Sequence, residues 1–276
     1  MALNSINTNL GAQVALQSLN RTTDELASVQ KRISTGYRVA DAKDDGAAFA
    51  VAERVRGEIA ATTSANEQLG GVKGLIDVTS SSLQNVSTSL SKLKELTVKL
   101  ADGSITSDQR TQYQSQAKEL TNNIKAFVTD ASYNGQNLIK AGGASVNVVT
   151  NGSGSSYTVA AYDAEANIFN GVSGANAYTA GDAAAALTTS GAVNKAITNT
   201  LTQLNTFGSY SNYVDTQISF NKNKVDAMET GMGALVDADL AKESARLQAL
   251  QIRQQLGTQS LGIANQAPQV LLSLFR

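Results

Sequence analysis

The sequence predicts a mainly α fold, in which the two ends of the chain form a long antiparallel coiled coil or helical bundle around a small β-rich central insert. Three observations lead to this prediction. Apolar residues recur at alternating steps of three and four along most of the 276 residues, which is the spacing of an amphipathic helix. Two-residue alternation replaces this spacing in the middle. The single proline, Pro268, leaves long helices uninterrupted.

The first predicted helix covers residues 5–35 and ends at Gly36. A polar segment, residues 38–46, follows it. We expect the adjacent carboxylates Asp44 and Asp45 to form a turn that caps the next helix rather than a catalytic pair. The apolar stripe of the first helix is predicted at Ala12, Leu16, Leu19, Leu26 and Ile33, with Thr23 and Gln30 at the remaining positions.

A second, longer helix is predicted from residue 47 to residue 100. The segment Asp102-Gly103-Ser104 ends it. Thr106 and Gln109 have the spacing of a capping box, which predicts the start of a third helix. We expect this helix to fold back on the second as a hairpin.

The middle of the chain, about residues 133–191, is rich in Gly, Ser, Asn, Thr and Ala. Alternating apolar residues at 145–149 and 157–162 flank the turn sequence Asn151-Gly152-Ser153-Gly154, which predicts a β-hairpin. We interpret the remainder, up to residue 191, as a turn-rich surface loop rather than a binding pocket.

Helical spacing returns from residue 193 to residue 235, and Gly231 and Gly233 predict a joint before a C-terminal helix. That last helix carries two neighbouring apolar stripes. A helix with two such stripes needs neighbours on two sides, so we expect it to pair with the N-terminal helix and with other chains. The first stripe comprises Ala249, Ile252, Leu256, Ile263, Val270 and Leu274, and the second Leu247, Leu250, Leu261 and Ala264.

The composition argues against most other classes of function. The 22 basic and 23 acidic residues give a net charge of −1, whereas a nucleic-acid partner requires a basic surface. The chain has no cysteine, which is the thiol nucleophile, and no histidine, which is the commonest metal ligand and general base. The apolar run Val270-Leu271-Leu272, which precedes Ser273-Leu274-Phe275, is too short for a bilayer, which takes about 20 residues. We expect no enzyme activity, cofactor, metal, nucleic acid or membrane partner, and we favour packing against sister chains over a membrane-surface anchor for this run.

Four segments resemble bacterial flagellin. They are Ile6-Asn7-Thr8-Asn9-Leu10, QKRISTGYRVADAKDDGAAFAVAERV at residues 30–55, SYNGQNLI at residues 132–139, and ANQAPQVLLSLFR at residues 264–276. The family usually reads KDDAAG where this chain has Lys43-Asp44-Asp45-Gly46-Ala47-Ala48, and the large outer domains of many flagellins are missing.

The resemblance implies the structural subunit of the flagellar filament, an extracellular polymer that serves swimming motility. It assigns residues 1–42 and 234–276 to terminal helices of an inner coiled-coil tube, 43–140 and 191–233 to a bundle in an outer tube, and 141–190 to a surface insert. The expected inner packing residues are Leu16, Leu19, Leu26, Ile33, Leu247, Ile252, Leu256, Ile263, Val270 and Leu274. The expected residues of the joint and of contacts between subunits are Arg38, Asp41, Lys43, Asp44 and Asp45.

The resemblance also implies partners. These are further copies of the chain in an open helical polymer, other flagellin paralogues, the filament cap and hook-junction proteins, and an export chaperone that binds Leu256, Ile263, Val270 and Leu274. Export would use the flagellar type III channel. Lys92 and Leu96 partly match the site read by an innate immune receptor, whose glutamate position falls near Ser115. Candidate O-glycosylation sites are Thr150, Ser153, Ser155, Ser156, Thr158 and Thr179.

Three alternative functions remain open from the sequence. A hook–filament junction protein shares the terminal helices, although the ending at residues 264–276 and the full segment at 38–46 favour a flagellin. A secreted coiled-coil adhesin would use the same termini. A secreted enzyme on a flagellin-like scaffold lacks the HExxH motif of inserted metalloproteases, since the chain has no histidine.

Overall fold

Long helices dominate the computed structural model, which describes the backbone of residues 9–274 and the side chains of residues 9–266. A π-helical turn at Glu165–Phe169 and a 3-10 turn at Ser173–Ala177 lie on either side of α4. The helices are α1 (Leu10–Thr35), α2 (Gly46–Ala101), α3 (Ser107–Asp130), α4 (Asn170–Val172), α5 (Ala180–Ala186), α6 (Ala192–Val236) and α7 (Leu240–Leu274), and the strands are β1 (Val146–Val149) and β2 (Ser156–Val159).

The chain divides into two compact units, and α2 and α6 contribute to both. The terminal unit contains the residues up to Gly57 and from Ala227 onward, and the central unit contains Glu58–Asp226. The mainly α fold with a small two-stranded antiparallel sheet confirms the predicted fold class.

The central unit has a continuous apolar core along α2, α3 and α6. It forms because α2 places a mostly apolar side chain inward every three or four residues between Thr62 and Leu100. The capping box that opens α3 is confirmed, since the Thr106 hydroxyl accepts from Gln109 N and the Gln109 side chain accepts from Thr106 N. The large side chains at 0% exposure include Leu69, Ile76, Leu83, Leu90, Leu93, Leu100, Ile124 and Phe207.

The predicted β-hairpin is confirmed, with Val148 opposite Tyr157 in an antiparallel register. Its turn packs against α2 and α6. Asn221 Nδ2 donates to the Thr150 carbonyl at 2.8 Å, and a Cβ at Gly152 would lie 2.9 Å from Thr62 Oγ1. Glycine at 152 therefore allows the hairpin turn to approach α2 closely.

Residues 163–191 correct the prediction of a turn-rich loop. They fold into α4, α5 and the two irregular helical turns, and the 3-10 turn packs on α3. The buried residues are mostly small, so they give little hydrophobic contrast for a sequence pattern to reveal. They are Ala164, Ile168, Val172, Ala175, Ala183 and Ala186.

Two helix boundaries in the terminal unit also differ from the prediction. α1 begins at Leu10 because Asn9 is extended (φ −89°, ψ 94°) and its side chain caps the helix, and residues 5–8 lie outside the described part. α6 continues through both glycines to Val236. Gly233 leaves room for the next turn, since a Cβ there would lie 2.6 Å from Asp237 Oδ2.

Candidate assembly site

The two terminal helices, α1 and α7, pack side by side in antiparallel directions, which confirms the predicted pairing of the chain ends. Asn9 at the start of α1 bonds to Ala264 near the end of α7. Leu19 lies beside Gly257, where an added Cβ would be 3.3 Å from Leu19 Cδ1. Gly257 therefore allows the helices to approach closely at this point.

On α1, four of the five residues of the predicted apolar stripe are half-buried, namely Ala12, Leu19, Leu26 and Ile33. Leu16 is 48% exposed, and Thr23 and Gln30 are exposed as well. Leu16 is therefore uncovered within the single chain, and its packing inside a filament stays a prediction. The uncharged residues of α1 that are buried or half-buried are Ala12, Ala15, Leu19, Thr22, Leu26, Val29 and Ile33.

On α7, the two predicted stripes have different surroundings. The second stripe faces α1: Leu250 is 2% exposed, and Leu247, Leu261 and Ala264 are half-buried. The first stripe faces away from α1, with Ile252 at 57%, Leu256 at 56% and Ile263 at 64% exposure. The side chains of Val270 and Leu274 lie outside the described residues. The helix pair thus leaves an apolar stripe uncovered.

A partly buried ion pair lies between the same two helices nearer the joint. Arg32 Nη1 donates to Glu243 Oε1 at 3.3 Å, and Glu243 is 8% exposed. Arg32 Nε and Glu243 Oε2 have no partner among the described residues. Removing Arg32 would leave the Glu243 carboxylate buried without its ion-pair partner, which is costly.

The joint of the terminal unit is formed by backbone hydrogen bonds. Arg38 N and Val39 N both donate to the Val236 carbonyl, at 2.7 and 3.2 Å, and Ala238 N donates to the Gly36 carbonyl at 2.9 Å. The Arg38 guanidinium also donates to the Leu235 carbonyl. Val39, Ala52 and Val236 form a small buried core beside these bonds, and Gly36 permits the turn with φ at 75°.

A lysine and two aspartates organise the polar segment after α1. Lys31 Nζ donates to Asp41 Oδ2 at 2.7 Å and to Asp44 Oδ2 at 2.9 Å. The hydrogen bond from Lys31 lowers the pKa of both carboxyls, and the same bonds raise the pKa of Lys31. Lys43 contributes its backbone N–H, which donates to Asp41 Oδ1 at 2.9 Å.

The predicted cap of α2 is formed by Asp45 rather than by both aspartates. Asp45 Oδ1 accepts from Ala47 N and Ala48 N, both at 3.1 Å. Asp44 instead accepts from Lys31 and from Ala40 N. The role of Lys31 could not be predicted from the sequence, because Lys31 lies on a different element, ten residues before Asp41, and no local motif relates the two.

The other predicted site residues differ in accessibility. Lys92 is exposed, but Leu96 is 8% exposed and belongs to the central core, which corrects its prediction as a receptor contact. Thr150 is 5% exposed and its hydroxyl donates to the Ser155 carbonyl, so it is unsuitable for glycosylation in this fold. The hydroxyls of Thr158 and Thr179 bond to Asn147 and Asp182.

Within residues 9–266, no group of three or more acidic side chains is arranged to hold a metal ion. Over the described helices, none combines the length and hydropathy required to cross a membrane. A mainly helical chain with paired termini and an uncovered apolar stripe is typical of a structural protein that assembles with copies of itself.

Comparison with known proteins identifies the family. The model of the bacterial flagellin N-terminal helical region matches residues 6–143, and that of the C-terminal helical region matches residues 190–275. The chain is 38% identical to flagellin FljK of Caulobacter vibrioides over the whole of both chains. It is 36% identical to a flagellin of Brucella melitensis, over 99% of each.

A solved structure of a protein described as flagellar hook-associated, from Vibrio parahaemolyticus, has a TM-score of 0.60. It covers 70% of this chain and all of its own, at 15% identity, and so shows a shared fold alone. The chain belongs to the bacterial flagellin family, whose members are structural subunits of the extracellular flagellar filament.

Proposed function

We propose that this filament subunit joins other copies of itself through the apolar stripe that α1 and α7 leave uncovered. The observation that carries the proposal is the exposure of Ile252, Leu256 and Ile263 on a helix whose opposite stripe is already packed. Covering large apolar side chains is favourable by about 25 cal/mol per Å². Identical subunits that meet through two different surfaces form an open helical array, as a filament requires.

In this proposal, residues 1–42 and 234–276 line an inner tube, residues 43–140 and 191–233 form an outer layer, and residues 141–190 lie on the outside. The polymer accepts other flagellin paralogues, and its ends contact the filament cap and hook-junction proteins. Before secretion, an export chaperone covers Leu256, Ile263, Val270 and Leu274. The exposure of Leu256 and Ile263 supports this, because an uncovered stripe would otherwise aggregate.

The hydroxyls best placed for O-glycosylation are those of Ser153, Ser155 and Ser156, which are exposed at the hairpin turn. None of these three hydroxyl groups forms a hydrogen bond within the described part of the chain. Protein from secreted filaments should then exceed the chain mass of 28.7 kDa by sugar increments. An unmodified mass would remove this part of the proposal.

The experiment that tests assembly is seeded growth of purified full-length chain on filament fragments, followed by electron microscopy. The unaltered chain should extend the seeds. Leu256→Asp combined with Ile263→Asp should abolish extension, because it places charge on the stripe that the neighbouring subunit would cover, at side chains that are 56% and 64% exposed in the single chain. Gln251→Asp combined with Thr258→Asp adds the same charge at two exposed positions of α7 outside this stripe, so it is the matched control and should extend seeds normally.

A chain that never extends seeds would contradict the filament proposal. Normal extension by the double variant would show that assembly uses another surface. Deleting residues 254–276 should also abolish extension while the central helices stay folded by circular dichroism.

A further inference from the structure

We propose that Asn9 is a positioning residue that fastens the start of α1 to α7 by supplying the hydrogen-bond donor that Pro268 removes from α7. The inference rests on the proposed function, because it concerns how the terminal helices are held for assembly. It assigns a specific role to two residues 259 positions apart in a chain of 276 residues.

The backbone of α7 lacks one hydrogen-bond donor. In an α-helix, each carbonyl accepts from the N–H four residues later. α7 runs from Leu240 to Leu274, so the Ala264 carbonyl would accept from residue 268. Residue 268 is proline, which has no N–H. The helix itself therefore leaves the Ala264 carbonyl without its usual donor.

The side chain of Asn9 supplies a donor to this carbonyl. Asn9 Nδ2 donates to Ala264 O at 2.7 Å in a partly buried position. An unsatisfied carbonyl away from water is costly, whereas a satisfied one is not. A single side-chain amide thus compensates for the proline.

Asn9 uses both the oxygen and the nitrogen of its side-chain amide. Asn9 Oδ1 accepts from Ala12 N at 3.0 Å and so caps α1. Aspartate, serine or threonine caps a helix equally well. Only a side-chain amide offers an acceptor for the cap and an N–H donor for α7 in this geometry. The same residue therefore begins α1 and fixes where it begins relative to α7.

The consequence is a third fixed point along the helix pair, beyond the Leu19–Gly257 contact and the Arg32–Glu243 ion pair. Without the bond from Asn9 to Ala264, few contacts fix the position of the first turns of α1 along α7. Leu10 and Val14 are 68% and 59% exposed in those turns. The bond from Asn9 holds them at a defined position along α7, ready for a neighbouring subunit.

The test is a double-mutant cycle on full-length chain grown from seeds, with the critical monomer concentration as the measured quantity. The variants are Asn9→Asp, Pro268→Ala and their combination. Asn9→Asp keeps the capping acceptor but loses the donor. Pro268→Ala restores a backbone N–H for the Ala264 carbonyl. Asn20→Asp is the matched control for added charge, since Asn20 is exposed on α1.

Asn9→Asp should raise the critical concentration by about tenfold in the natural background, the effect of one lost hydrogen bond that leaves an acceptor unpaired. In the Pro268→Ala background the same change should raise it by less than about threefold. Asn9→Ser introduces an uncharged residue that also caps the helix, and it should raise the critical concentration as much as Asn9→Asp does. Hydrogen exchange of the Ala12 amide should stay slow in the Asn9→Asp filaments, because the cap is intact.

An equal effect of Asn9→Asp in both backgrounds, or no effect in either, overturns the inference while leaving the filament function intact. If the unaltered chain fails to extend seeds, the proposed function is overturned instead. The same cycle is then measured as the thermal unfolding midpoint of the free chains. Coupling between positions 9 and 268 there supports the inference, and its absence overturns it.

Discussion

The central and terminal units use the same helical spacing of apolar residues, but the terminal unit covers only part of those residues within the chain. Leu83, Leu90 and Phe207 of the central unit are 0% exposed. In the terminal unit, Ile252 and Ile263 are more than half exposed. The central unit buries its stripes among several helices and the hairpin, whereas α7 has one partner, α1, for two stripes.

This difference teaches that apolar periodicity predicts a helix but not where its neighbours come from. Full burial of a leucine or isoleucine contributes about 1.5–3 kcal/mol. The central unit gains this within one chain, so it stabilises the free subunit. The exposed side chains of α7 contribute this free energy only when another subunit covers them, so their burial stabilises the polymer.

The largest expected effect is in the central core. Leu83→Ala should lower the free energy of unfolding of the free chain by about 2–5 kcal/mol, because a fully buried side chain is lost and a cavity remains. Chemical denaturation followed by circular dichroism measures this. Val98→Ala on the same helix is the control, since Val98 is 55% exposed. A loss below about 1 kcal/mol for Leu83→Ala would mean that this core is loosely packed.

The opposite behaviour is expected of Ile252→Ser on α7. The unfolding free energy of the free chain should change by less than about 0.5 kcal/mol, as for an exposed position. The critical concentration for filament growth should rise by about tenfold or more, because the isoleucine is covered only on assembly. Sedimentation of filaments at several protein concentrations measures it. An unchanged critical concentration would remove Ile252 from the contact between subunits.

A smaller contrast is expected between two glycines of α2. Gly70→Ala should stabilise the central unit by about 0.5–1 kcal/mol, because no atom lies within 4 Å of the added Cβ and alanine favours the helix. Gly74→Ala should give no gain, since its Cβ would lie 2.9 Å from the Tyr133 ring carbon Cζ. Denaturant midpoints compare the two variants directly. Equal stabilisation would show that the Tyr133 ring moves aside at no cost.

The smallest effect concerns the pH response of the terminal unit. The pKa values of Asp41 and Asp44 lie below the ordinary 3.8, so their bonds to Lys31 stabilise the fold above pH 3.8 and are lost as the pH falls through the lowered values. The pKa of Lys31 lies above 10.5, so its contribution is lost only as the pH rises through that raised value. Carboxyl chemical shifts in an NMR titration measure the aspartates.

Lys31→Met is the control for this titration, and it should return both aspartate pKa values toward 3.8. The opposite finding, ordinary values in the unaltered chain, would mean that Lys31 does not hold the two carboxylates in solution.

Several elements could be predicted from the sequence because their causes are local. The span of α2 follows from its long apolar repeat, and the start of α3 follows from the Thr106 and Gln109 capping box. The hairpin follows from alternating strands around Asn151-Gly152. The segment motifs that resemble flagellin were sufficient for the family, and the family models and full-length relatives confirm it.

Other features could not be predicted, because their causes lie far away in the chain. Apolar spacing does not show which side of α1 meets α7, so the 48% exposure of Leu16 within the single chain could not be predicted. The helices of residues 163–191 depend on burial of small side chains against other elements. The pairing of Lys31 with Asp41 and Asp44, and of Asn9 with Ala264, requires the folded chain to bring them together.

The sequence alone therefore determined that this protein is helical, that its ends pair, and that its terminal helices carry more apolar surface than one partner covers. The tertiary structure decided which stripe faces inward, which side chains remain uncovered, and which polar groups fix the register. The physical reason is that periodicity is a property of a single helix, whereas burial is a property of all the neighbours that surround it.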